Sequence, residues 1–123
     1  MTQLNRLLKV TETVLVANKA RLAVEVKKEN ELRAVLAALD MDGKRTSQAT
    51  RESKDFLYGL SAELRWQKWA EKRRTLINNE IAASKVVQSK LQHAVAISFG
   101  KNQAVLRLVE NQGSDKSTRD PSP

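Results

Sequence analysis

Leucine recurs at positions 8, 15, 22 and 36, a seven-residue step, and a second series at 4, 11, 18, 25, 32 and 39 interleaves with it. Alternating steps of three and four bring these residues to one side of a helix, the pattern of a coiled-coil seam. No proline or glycine occurs from Thr2 to Asp40, so a helix is predicted over about 2–40 with Thr2 as its N-cap. Leu4, Leu8, Leu15 and Leu22 make one end of the seam apolar, and Leu32, Leu36 and Leu39 the other. Between them Asn18, Glu25 and Glu29 also fall on seam positions. Buried charge is costly, so this polar middle is either a solvated, irregular stretch or a set of groups that fixes alignment at a cost in stability.

Gly43, in Asp40-Met41-Asp42-Gly43-Lys44, suits a helix stop, and residues 41–53 are polar enough to read as a connection. A second seam follows from about 54 to 110. It runs through Phe56, Leu60, Glu63, Gln67, Ala70, Arg74, Ile77, Ile81, Ser84, Gln88, Leu91, Val95, Ser98, Asn102, Val105 and Val109. Gly59 and Gly100 each weaken that helix by about 1 kcal/mol, which marks Phe99-Gly100 as the place for a bend or break. The expected fold is all-α, a long two-helix antiparallel coiled-coil hairpin forming one domain over 1–111. With the turn between Gly43 and Ser53, Leu4 should lie opposite Ser84 to Val95, leaving Val105 to Val109 to overhang or fold back. Residues 112–123 hold no apolar side chain and are expected to be a disordered tail.

Composition narrows the chemistry. The 123 residues include no cysteine, which removes disulfides, thiolate metal ligands and thiol catalysis. His93, the sole histidine, has Ser89, Lys90, Ala96 and Ile97 at helical spacing and no carboxylate to orient it, so it is expected to be structural or solvent-facing. Carboxylates do not repeat at the spacing of bundle metal sites. Aligning Gly43 with the glycine of a calcium loop puts alanines at the first and last ligand positions, and Gly43-Lys44-Arg45 lacks the parts of a phosphate loop. The expectation is a protein without catalysis, cofactor or metal. Its longest uncharged apolar runs, such as 34–39, fall far short of the roughly 20 residues of a membrane span, and a cytoplasmic location is expected.

The net charge of +8 is uneven: residues 65–111 carry nine basic and three acidic groups. Both tryptophans lie at the start of this region, in Arg65-Trp66-Gln67-Lys68-Trp69-Ala70-Glu71-Lys72-Arg73-Arg74-Thr75-Leu76-Ile77-Asn78. Trp66, Trp69, Arg73 and Leu76 are expected on one strip beside the seam, flanked by Lys68 and Lys72. Three readings compete for it. The tryptophans could cover the hairpin beneath a solvated charged face. They could form a protein-binding hot spot, which favours tryptophan with arginine. They could stack on bases while the cations follow phosphates, the least favoured of the three because the basic block sits inside the seam. A generic homodimeric coiled-coil scaffold is a further alternative, since two parallel chains could pair the same seams.

Trp66-Gln67-Lys68-Trp69, Lys72-Arg73-Arg74 with Ile77-Asn78 and Glu80, and Ser98-Phe99-Gly100-Lys101-Asn102-Gln103-Ala104 resemble short members of the flagellar export stalk family, FliJ. The similarity covers mainly residues 60–110, and the first helix matches in length and heptad character. The resemblance implies a non-enzymatic antiparallel coiled coil similar to the central stalk of rotary ATPases. It would bind the hexameric export ATPase of the type III secretion apparatus and the membrane export gate, with export chaperones as further candidates, and couple them to substrate export. Its location would be cytoplasmic and peripheral at the membrane export apparatus. The residues expected to meet partners are Trp66, Trp69, Arg73, Lys68, Lys72, Arg74 and Phe99.

Overall fold

The computed structural model describes residues 2–118. The fold is all-α: two long helices, α1 (Gln3–Glu52) and α2 (Phe56–Thr118), pack against each other, with no strand among the described residues. Contacts divide the chain into two packing units, Glu25–Val87 and Met1–Val24 with Gln88–Pro123.

The unit Glu25–Val87 is an antiparallel helical hairpin. Its order is set by cross-helix pairs: Ser84 with Glu25, Arg74 with Asp40, and Ser47 with Glu63. The turn is far shorter than the connection expected over 41–53. α1 continues through Gly43 to Glu52, and only Ser53-Lys54-Asp55 separates the helices. Gly43 is not a stop, and no glycine among the described residues has positive φ. The heptad phase explains this, since it runs on unbroken from Leu36 and Leu39 through Gly43, Thr46 and Thr50, where α1 still has α2 to pack on. Such tertiary contact outweighs the roughly 1 kcal/mol that glycine costs a helix.

Asp55 starts α2. Its Oδ1 accepts from the Tyr58 N–H at 3.1 Å, an N-cap bond that satisfies one of the helix's orphan donors. The Ser53 N–H donates to the Thr50 carbonyl at 3.3 Å, and the Ser53 hydroxyl to that of Asp55 at 3.1 Å. At the other end of α1, Thr2 caps as expected, its Oγ1 accepting from the Asn5 N–H at 3.3 Å.

In the second unit the first part of α1 packs antiparallel to the last part of α2. Thr11 meets Asn102 at 3.0 Å and Asn18 meets Ser98 at 2.7 Å. Val105, expected to overhang, is buried, because the later turn carries the pairing of the N-terminal residues further along α2. α2 neither bends out of helix nor breaks at Gly100. That residue is exposed and a Cβ there would touch nothing within 4 Å, so the glycine marks no close approach. The tail expected from residue 112 is helical through Thr118, no proline preceding Pro121 to stop it. The rest of the expected tail, 119–123, lies outside the described residues.

Both units close their seams with polar as well as apolar side chains. Leu15, Leu39, Ala70, Ile77, Ile81 and Val105 are buried, and so are Glu29, Thr50, Ser84, Gln88 and Ser98. Leu4, Leu8, Leu22, Leu32, Leu36, Leu60, Leu91 and Val95 are half-buried. The polar middle of α1 is therefore not a solvated stretch. Glu29 is 7% exposed and its two oxygens are divided between Arg33 Nε at 2.6 Å and Lys85 Nζ at 2.9 Å. Asn18 donates to Ser98, and the Ser84 hydroxyl donates to the Glu25 carboxylate at 3.0 Å. No buried side-chain nitrogen or oxygen among the described residues lacks a partner. Buried polar groups are tolerated on that condition.

Candidate partner-binding face on the second helix

The unit Glu25–Val87 separates the two tryptophans. They are three residues apart, and a helix places such neighbours side by side, yet only one of them faces α1. Trp66 is half-buried against Gly43: a Cβ on that glycine would stand 3.0 Å from Cη2 and 3.2 Å from Cζ3 of the indole. The glycine thus serves close approach rather than a turn. Trp66 belongs to the wall of an open groove that also includes Asp40, Ser47, Ala70 and Arg74. Its place on an outward strip, expected from spacing alone, is corrected accordingly.

Trp69 is 56% exposed and Leu76 is 57% exposed. An exposed tryptophan and leucine two turns apart on the same face are an apolar surface that the fold leaves open to solvent. Arg65, Lys68, Lys72 and Arg73 are exposed around them. Arg74 departs from the expected set, because its Nη2 is engaged by Asp40 Oδ1 of α1 at 2.9 Å. Both ends of that pair are well solvated, 44% and 62% exposed, so its contribution to stability is small, about 0–1 kcal/mol. It does fix where the arginine goes. Phe99 is 50% exposed but belongs to the other packing unit, so it is not part of this strip.

Two features near this face were not legible from spacing. Phe56, Leu57 and Tyr58, in the first turn of α2, are 56%, 77% and 69% exposed. Phe56 continues the seam phase past the end of α1 and so has no facing residue to cover it. Gly43, read as a helix stop, is part of the Trp66 contact.

His93 is exposed in the other unit. Among the described residues no three histidine, aspartate or glutamate side chains gather at one place, and no helix is long and apolar enough to cross a membrane. What the Trp69 face can do is bind: it offers apolar area bordered by donors that carry positive charge.

Family models, characterised proteins and solved structures were compared with the chain, and none matches it.

Proposed function

We propose that this protein is a non-enzymatic coiled-coil stalk or adaptor of a flagellar type III export apparatus, binding the export ATPase and the membrane export gate and working at the membrane periphery. The observation that carries the reading is the Trp69 face: a large aromatic side chain 56% exposed, held on a two-helix coil and bordered by Arg65, Lys72 and Arg73. Tryptophan and arginine are the residues most often found at the energetic centre of protein interfaces. A helix pair locked by its own seam presents them with little ordering left to do, which favours affinity. The sequence resemblance to export stalks supplies the identity of the partners.

Affinity capture tests it. The intact protein, mixed with purified export ATPase or the soluble domain of the gate protein, is expected to retain one or both. Trp69→Ala should abolish retention while far-ultraviolet circular dichroism stays at the wild-type level. Failure of the wild type to retain either partner would overturn the assignment. Binding of single-stranded oligonucleotides, with the steep salt dependence of phosphate contacts, in place of these proteins would move the protein to a nucleic-acid class.

A further inference from the structure

Building on the reading of the Trp69 face as a docking surface, we propose that its occupant is an acidic amphipathic helix, laid along α2 as a third strand of the coiled coil. Ala62, Trp69, Leu76 and Ala83 follow one another at seven-residue steps, and all four are exposed. This is the period of a coiled-coil seam, repeated on a face of α2 that the α1 seam leaves uncovered. Two small residues bracket two large ones, so an incoming helix finds its anchor at Trp69 and Leu76 and close approach on either side.

The charges choose among occupants. Three cations border the stripe, Arg65 and Lys72 on one edge and Arg73 on the other, where the exposed Glu80 follows one heptad further on. None of the three has an ion pair within the chain among the described residues. Residues bordering a coiled-coil seam set partner choice, and three cations against the single carboxylate of Glu80 select carboxylates at most of the facing positions. A second copy of this chain laid parallel would set the same cations against each other, and laid antiparallel it would offer only Glu80 to three cations, which disfavours a homodimer through this face. A polyphosphate would satisfy the cations but leave the apolar stripe uncovered.

The test uses the intact protein and two synthetic helical peptides with the same leucine stripe, one bearing glutamate and the other lysine at the bordering positions. Calorimetric titration is expected to show the glutamate peptide binding at least about tenfold tighter, and Trp69→Ala weakening it by about tenfold or more. The double variant Lys72→Glu/Arg73→Glu should reverse the preference towards the lysine peptide. In a Trp66→Phe background, the glutamate peptide should shift the Trp69 emission to shorter wavelength. Circular dichroism checks that each variant keeps its helicity, and Trp69→Phe, which keeps an aromatic ring, should retain more affinity than Trp69→Ala. Equal binding of the two peptides, no binding of the glutamate peptide, or indifference to the charge reversal would overturn the proposal. So would displacement of the glutamate peptide by an oligonucleotide of matched charge at equal concentration. Capture of the export ATPase that survives Lys72→Glu/Arg73→Glu would remove this inference and leave the proposed function intact. Peptide selectivity without any capture would do the reverse.

Discussion

α2 carries two seven-residue stripes with opposite fates. The one facing α1 runs through Ala70, Ile77 and Ser84, which are 2%, 1% and 2% exposed. The one beside it runs through Trp69 and Leu76, each more than half exposed. Serine is inside and tryptophan outside. Phase along the heptad, rather than hydrophobicity of the single residue, decides burial here, because a two-helix coil has room for only one closed seam. The large apolar residues left over stay in contact with solvent, and the proposed partner is what would cover them.

Substitutions that exploit this contrast should differ sharply in effect. Ile77→Ala, at the closed seam, is expected to cost about 2–4 kcal/mol of unfolding free energy, read from the midpoint of chemical denaturation. The adjacent Leu76→Ala should stay within about 0.5 kcal/mol of wild type. Similar losses at both positions would mean that the outward stripe is structural. Gly43→Leu should come next. The new side chain has to displace the Trp66 ring, an overpacking cost of about 1–3 kcal/mol, and the tryptophan emission should move to longer wavelength as that indole meets water.

Glu29→Leu probes the polar part of the seam. Replacing a buried, paired carboxylate by a packed hydrocarbon is often neutral or stabilising, so a change between zero and about 1 kcal/mol in favour of the variant is expected. Its Arg33 and Lys85 partners, each 56% exposed, can turn to solvent. A loss of several kcal/mol would show that Glu29 holds the helices together rather than specifying how they align. The smallest effect on stability belongs to Trp69→Ala, expected within about 0.5 kcal/mol by denaturation, with its consequence confined to partner capture.

The seams were legible because leucine and isoleucine at 4, 8, 15, 36, 77 and 81 announce the heptad directly. The end of α1 was not. The same phase continues at Gly43, Thr46 and Thr50, but small and hydroxylated residues do not register as a hydrophobic pattern, and Gly43 carries the opposite signal of a stop. The better signal was Asp55, a capping residue three positions before Tyr58. For the candidate face, composition located the stretch, and Trp69, Arg73 and Leu76, set beside the seam by spacing, are exposed. Spacing misplaced Trp66, because that residue lies one step from Gln67, and which of two neighbours turns inward depends on the space opposite. That space is Gly43, brought into place only by the late turn.

The hydrogen-bonded residues within the seams also bear on sliding. Suppose α2 slips along α1 by one heptad in the hairpin unit: the Glu25 carboxylate, now beside the Ser84 hydroxyl, would face Ile77. In the other unit the same slip would set the Asn18 amide against Leu91 or Val105 instead of Ser98. Each displaced group would trade a hydrogen bond for hydrocarbon, at a cost of about 1–3 kcal/mol for an uncharged polar group and more for a charge. An all-leucine seam would meet an equivalent set of contacts after every slip and would resist axial load only weakly. With polar pairs at unequal positions, one alignment is preferred over its neighbours within each unit, and the helix segments of that unit resist creeping past one another under a pull.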